Sequence, residues 1–450
     1  MAKSTFAQSA ARDDFSVRQE RAILVGVIFE QGRLWDDPLI ELGELAESAG
    51  ALVVGRIVQK RKAYDPATCV GKGKVEEIRQ QADAFEADVV IFDNDLSPSQ
   101  IRELEKGTGR KVLDRSELIL DIFATRARTA EARLQVELAQ LQYTAPRLRG
   151  MWTHLERIAG AGGGTGVGSV GGIGTRGPGE RQIEIDRRLV SRRIQLLREK
   201  IAEIDKRKVR EVGARKEFFT VCLVGYTNAG KSTLMNTLTQ ANTVARDRLF
   251  ETLDTLTRKW NFGGGRAVLL SDTVGFVKNL PPHLVASFRA TLEEAIHADM
   301  LLHVADASNK LIGEQIAAVN EVLKALGADQ RPTLLVLNKL DAVEDEAMPP
   351  ILRQQYPDAV FVSARTGAGL EKIRAAVDER MRGEQQPVKL SVGAGNGKAL
   401  VLLERLGEVL DVQYVDGRAL VEVLISPRAL DYLHNQCADV RHTDVPTDDF

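Results

Sequence analysis

Gly225-Tyr226-Thr227-Asn228-Ala229-Gly230-Lys231-Ser232 decides the fold of this chain. A glycine, four residues and then Gly-Lys-Ser is the spacing that cradles nucleotide phosphates. The apolar run Phe218 to Val224 before it reads as a buried strand, and Ser232 to Leu238 after it reads as a helix start. In that setting the glycines let backbone N–H groups turn toward an anion, and the helix N-terminus adds the positive end of its dipole. Lys231 is placed to reach the β- and γ-phosphates, and the Ser232 hydroxyl to ligate Mg²⁺. Tyr226, Thr227, Asn228, Ala229 and Thr233 complete the expected nucleotide contacts of this segment.

Three further pieces follow in order, each closing an apolar run. Asp272-Thr273-Val274-Gly275 ends the run Ala267 to Ser271. A carboxylate there can hold Mg²⁺ through water, and the Gly275 N–H can meet the γ-phosphate and sense its loss. Asn338-Lys339-Leu340-Asp341 ends the run Thr333 to Leu337. The Asp341 carboxylate can accept from the N1–H and 2-amino groups of guanine; adenine lacks that donor pair, so the site favours GTP over ATP. Ser363-Ala364-Arg365 follows the run Ala359 to Val362, where a backbone N–H can meet the guanine carbonyl. Each tetrapeptide alone is an ordinary strand-to-loop turn; in this order they specify a GTP-binding domain with a mostly parallel sheet.

Between the phosphate loop and Asp272 lies Phe250-Glu251-Thr252-Leu253-Asp254. A switch loop there must supply a hydroxyl to Mg²⁺. Thr252 is the candidate, with Thr255 and Thr257 as rivals. Lys231, Thr252 and Gly275 are thus the expected catalytic residues. Phe276 stands where many GTPases place a glutamine that orients the attacking water, so slow hydrolysis without a partner is expected.

The runs Gly225 to Thr233, Phe250 to Asp254 and Asp272 to Phe276 resemble the HflX family. So does Gly171-Gly172-Ile173-Gly174-Thr175-Arg176-Gly177-Pro178-Gly179-Glu180 upstream. These are translational GTPases of the superfamily that includes Obg and Era. The resemblance covers most of the chain, Ala22 to Arg382, and weakens after it. It implies a Mg²⁺-dependent GTPase that binds the large ribosomal subunit, is stimulated by ribosomes and splits stalled or idle 70S particles. Two other functions fit the same motifs: a ribosome-assembly GTPase on precursor large subunits, and a regulatory switch acting on a protein effector without RNA.

At 450 residues and 44% apolar composition the chain holds several domains rather than one core. Its formal net charge of −2 argues neither for nor against nucleic acid, so a basic footprint must be local. Cys69, Cys222 and Cys437 are far apart and have no metal spacing, which fits reduced thiols in the cytoplasm. Residues Met1 to Glu20 are polar, and no run reaches the length of a membrane span, so membrane insertion is not expected. DNA is not an expected partner, and a monomer is expected. The histidines show no metal spacing, so Mg²⁺ is the one metal expected, and His303 reads as structural.

The expected order is a disordered segment 1–21, an N-terminal α/β domain 22–125 and an antiparallel helical hairpin 126–216. A GTPase domain 217–386 and a small α+β domain 387–450 follow. In the first domain, Gly71-Lys72-Gly73-Lys74 lacks a phosphate-loop pattern and reads as a scaffold or RNA-contacting loop. In the hairpin, Leu134, Leu138 and Leu141 on one helix and Val190, Ile194, Leu197, Ile201 and Ile204 on the other form a seam. The tip, from Pro146 to Glu180, is glycine-rich and flanked by arginines. It cannot bury enough apolar area to offset its ordering entropy, so it is expected to be mobile alone. With the family resemblance, Arg157, Arg176 and Arg181 are the expected RNA contacts. The second helix is locally basic from Arg187 to Arg210, and the terminal acidic stretch Asp444 to Asp449 is expected to be disordered. In the C-terminal domain, Leu400 to Val409 reads as a helix, and Asp416-Gly417 as a hairpin turn.

Overall fold

The structure, a computed structural model, describes residues 19–29, 38–147, 178–214, 218–240, 256–263, 266–278, 294–383 and 385–443. The chain divides into two compact units, Met1–Ile119 and Leu120–Phe450.

In the first unit, strands β1 (Arg21–Phe29), β2 (Leu52–Arg61), β3 (Val89–Phe92) and β4 (Lys111–Asp114) form a parallel sheet in the order β2-β1-β3-β4. Helices α1 (Ile40–Ser48), α2 (Lys72–Ala84) and α3 (Pro98–Thr108) alternate with these strands. A parallel strand covered on both faces reads as a continuous apolar run, and Ala22 to Val27 of β1 are all buried. Ser97 starts α3 with a capping box: its hydroxyl accepts from Gln100 N, and its N–H donates to Gln100 Oε1. The Gly71-Lys72-Gly73-Lys74 reading needs correction. Gly71 is the N-cap of α2, and the next three residues are its first turn rather than a loop.

Helix α4 (Arg115–Arg126) carries the chain into the second unit. There α5 (Ala130–Thr144) and α6 (Pro178–Ala214) pack through Leu138, Leu141, Leu197 and Ile201, with Leu134, Val190 and Ile194 at the margin. Arg193 of α6 makes a two-pronged ion pair with Glu137 of α5. Pro178-Gly179-Glu180, expected in the tip, already belong to α6, because proline is tolerated in a first helical turn. The rest of the glycine-rich tip, with Arg157 and Arg176, lies outside the described residues, as do the side chain of Arg181, the N-terminal segment and Asp444 to Asp449.

The central sheet has the order β10-β9-β8-β5-β7-β6. Strands β5 (Phe219–Gly225), β7 (Arg266–Asp272), β8 (Met300–Asp306), β9 (Thr333–Asn338) and β10 (Val360–Phe361) run parallel to their neighbours; β6 (Leu256–Gly263) is antiparallel to β7. Helices α7 (Lys231–Thr239), α8 (Ile312–Leu326), α9 (Met348–Gln355) and α10 (Leu370–Gly383) accompany it. Its core joins Leu223, Leu234, Trp260, Leu302, Val304 and Val377, all nearly inaccessible.

A four-stranded antiparallel sheet closes the unit, in the order β12-β13-β11-β14. It comprises β11 (Gln386–Gly393), β12 (Gly407–Val415), β13 (Arg418–Ile425) and β14 (Arg441–His442), with helices α11 (Gly397–Leu406) and α12 (Pro427–Gln436). Asp416 and Gly417 turn the β12–β13 hairpin with φ of 48° and 74°, the left-handed pair that a two-residue turn requires. The helix expected over Leu400 to Val409 stops at Leu406 instead. Gly407 begins β12, where a Cβ would come 2.7 Å from Leu424 O, so strand pairing takes over at that glycine. Arg428 of α12 forms an ion pair with Asp299, just before β8, and Asp299 Oδ2 also accepts from Thr220 N and Oγ1 at 2.8 and 2.9 Å. Among the described residues, no helix is long and apolar enough to cross a membrane.

Candidate nucleotide site

The sequence motifs meet at one end of the central sheet. Parallel register brings Leu223 of β5 opposite Asp272 of β7, Gly225 opposite Val304 of β8, and Asp306 of β8 opposite Asn338 of β9. Ligands of open parallel sheets bind outside such carboxyl ends. The phosphate loop therefore follows β5, and α7 starts at Lys231 immediately after it.

Two glycines of the loop are there for space. At Gly225, φ is +152°, and a Cβ would lie 2.1 Å from Val304 O. At Gly230, φ is +89°, and a Cβ would lie 2.3 Å from Asn338 Nδ2. Lys231 is only 6% exposed, yet its ammonium is accommodated: Nζ donates to Gly225 O at 3.1 Å and Tyr226 O at 2.9 Å. An ammonium has three N–H donors, so one remains for a phosphate oxygen. Burial pulls Lys231 down to about 8, while the Asp272 carboxylate favours its charged form.

Beside it, Ser232 Oγ donates to Asp272 Oδ2 at 2.6 Å, and Asp272 is 1% exposed. This pairs two hard oxygen donors at the start of α7, the donor chemistry Mg²⁺ takes, so Ser232 and Asp272 fit that ion. Thr273 donates its hydroxyl to Leu223 O and thereby fastens the turn after β7 to β5. Gly275 lies against the loop so closely that a Cβ would stand 2.8 Å from Thr227 Cα and 3.0 Å from Lys231 Nζ. Phe276 is 2% exposed. Its carbonyl accepts from Thr227 N at 2.7 Å and its N–H donates to Gly225 O at 3.1 Å. A buried apolar ring cannot orient water, in keeping with the reading of Phe276.

The base side is braced by one amide. Asn338 Nδ2 donates to Ala229 O in the phosphate loop, and Asn338 Oδ1 accepts from Ala364 N, both at 2.9 Å. Lys339, at φ 61°, forms an ion pair with Asp306 at 2.9 Å and reaches Asn228 Oδ1 at 3.4 Å. Asp341 Oδ1 accepts from Ser363 Oγ at 2.5 Å, which orients the carboxylate. Arg365 is exposed just beyond. His303 of β8 is 3% exposed; burial, and then the charge of Lys231, press it down to about 4, so it is neutral at ordinary pH.

The structure thus gathers Gly225 to Thr233, Asp272 to Gly275, Asn338 to Asp341 and Ser363-Ala364. The segment Phe250 to Asp254, with Thr252, lies outside the described residues. Of its rivals, Thr255 does too, whereas Thr257 sits in β6 with its hydroxyl 2.9 Å from Ser271 Oγ and bonded to Glu294, so it belongs to the sheet. Sequence reading missed the Asn338 brace and the Tyr226 hydroxyl, which accepts from Lys278 N at 2.6 Å. The tyrosine in the phosphate loop was the only signal of the latter.

Three family models match in sequence along the chain: "GTP-binding GTPase N-terminal" over residues 36–124, "GTP-binding GTPase Middle Region" over 126–215, and "50S ribosome-binding GTPase" over 220–339. GTPase HflX of Escherichia coli is 46% identical over 369 residues, which are 81% of this chain and 84% of that protein. GTPase HflX of Caldanaerobacter subterraneus is 40% identical, over 93% of this chain and 94% of its own length. A solved GTP-binding protein of Sulfolobus solfataricus in complex with GDP is 24% identical, covering 80% of this chain and 98% of that one at a TM-score of 0.41. With relatives of this identity along most of its length and the GTP motifs assembled at one sheet end, the chain belongs to the HflX family of GTPases.

Proposed function

We propose that this GTPase works on the large ribosomal subunit in the cytoplasm and couples GTP binding and hydrolysis to the splitting of stalled or idle 70S particles. The observation that carries the reading is the joining of a GTP site to a long basic arm. Along α6, Arg188, Arg192, Arg198, Lys200 and Lys206 are exposed, and the seam with α5 leaves that face free for an anionic surface. Lysine and arginine arrayed along one element are the electrostatic footprint of nucleic-acid phosphates. The middle-region family match covers this arm, and the family model over the GTPase domain is described as ribosome-binding.

In this proposal the residues of the site divide the work as follows. Backbone N–H groups from Gly225 to Lys231 cradle the phosphates, and Lys231 neutralises charge that develops on them. Ser232, Asp272 and, with GTP, Thr252 would hold Mg²⁺, which would supply a counter-charge to the phosphates. Gly275 N–H meets the γ-phosphate, and Asp341, held by Ser363, reads guanine. Arg157, Arg176 and Arg181 contact rRNA.

Sedimentation with ribosomal particles tests the reading. The protein is expected to travel with large subunits and 70S ribosomes with a GTP analogue and to be released with GDP. Deleting residues 160–179 is expected to keep GTP binding but to slow the splitting of 70S particles at least tenfold. Equal sedimentation with both nucleotides, or undiminished splitting by the deleted protein, contradicts it.

A further inference from the structure

Tyr226 occupies the first variable position of the phosphate loop, where the backbone rather than the side chain faces a phosphate. Its side chain is nevertheless 5% exposed, and its hydroxyl accepts from Lys278 N at 2.6 Å. The same stretch is already joined to the loop through its main chain. Tyr226 and Phe276 form a parallel β-bridge, closed by Thr227 N to Phe276 O at 2.7 Å and Phe276 N to Gly225 O at 3.1 Å. Those two bonds fix Phe276 alone. The tyrosine bond adds a third fastening two residues further on, past the buried Val277.

We propose that Tyr226 is a positioning residue for GTP recognition: its hydroxyl extends this zipper to Lys278 and so keeps the Gly275 N–H at the place where a γ-phosphate meets it. Gly275 has little room to shift, since a Cβ there would strike Thr227 and crowd Lys231 Nζ. A displacement of Lys278 is transmitted through Val277 and Phe276 toward Gly275. The bond from Lys278 N to the Tyr226 hydroxyl is the pin that holds that displacement at its source. Without the pin, the amide samples more positions, and a ligand that contacts it loses affinity. GDP has no γ-phosphate, so its binding does not depend on the pin.

The test is Tyr226→Phe, which keeps the ring and removes the acceptor. In the full-length protein with Mg²⁺, affinity for β,γ-imido-GTP is expected to fall about 3- to 10-fold, the worth of one hydrogen bond. GDP affinity and melting temperature are expected to stay as in the parent. A residue that merely packs the loop would lower both affinities together, so a parallel loss overturns the proposal, as does no change in either. Amide hydrogen exchange gives a second readout in the same proteins. The Lys278 amide should be protected in the parent and exchange faster in the variant, while the Phe276 amide, bonded to Gly225 O, keeps its protection. An unprotected Lys278 amide in the parent also overturns it.

Discussion

At the scale of single residues, Phe276 and Asp341 carry the sharpest expectations. Because Phe276 is enclosed, Phe276→Gln should not restore a water-orienting group. It buries an amide without partners, at about 1–3 kcal/mol, so the melting temperature should fall while single-turnover hydrolysis stays slow. A faster variant would mean that the side chain can turn toward the nucleotide. Asp341→Asn replaces an acceptor for two guanine donors by an amide that can donate to the 2-oxo group of xanthine. Competition binding should show GTP weakened at least tenfold and XTP favoured; an unchanged preference would place the base elsewhere. These residues were legible in the sequence because motif spacing carries their chemistry. The Asn338 brace was not: its partner Ala229 lies 109 positions away, and nothing local in Asn338-Lys339-Leu340-Asp341 announces a contact across that distance.

At the scale of elements, β8 shows how burial sets chemistry. His303 lies within an otherwise apolar strand, Met300–Asp306, and its ring is held near pKa 4 rather than the usual 6.5 by burial first and Lys231 second. The unfolded chain therefore binds a proton between pH 6.5 and 4 that the folded chain refuses. The stability at stake is fully present above pH 6.5 and is lost as pH falls toward 4, by about 3 kcal/mol at most. A nuclear magnetic resonance titration should show the His303 ring proton unmoved until near pH 4; a midpoint near 6.5 would mean that the ring is solvated. The apolar runs of β5, β8 and β9 were readable because strands covered on both faces are continuously hydrophobic. Strand β6 was not, since Leu256–Gly263 lies at a sheet edge, where exposed Lys259 and Asn261 interrupt the apolar run and only Trp260 and Phe262 are buried. The overlong helix at Leu400 to Val409 has a similar cause. Leu406 and Val409 fit a helical spacing, and only tertiary pairing with Leu424 and Val423 draws the last residues into β12.

At the scale of the second unit, Arg428 and Asp299 join the C-terminal sheet to the start of β8, at the end of the central sheet opposite Asp306. Asp299 is 3% exposed and keeps Thr220 as a partner, whereas the Arg428 side chain is 56% exposed. Arg428→Ala should therefore cost only about 1 kcal/mol, well below a fully buried pair. Thermal denaturation should register that loss, with GDP affinity unchanged; a large fall in GDP affinity would show that the two ends of β8 communicate. The Asn338 amide has a different consequence at this scale. It ties the phosphate loop to the Ala364 turn, and Ser363 orients Asp341, through bonds between protein atoms alone. Bonds of this kind hold the guanine side in one arrangement, so loosening one should shorten the stay of a bound nucleotide more than it slows arrival. Variants along the brace should differ in how long a nucleotide stays, with arrival rates nearly alike. Exchange of GDP for GTP is then expected to be set by departure, read as a GDP off-rate that changes along the brace while the on-rate holds.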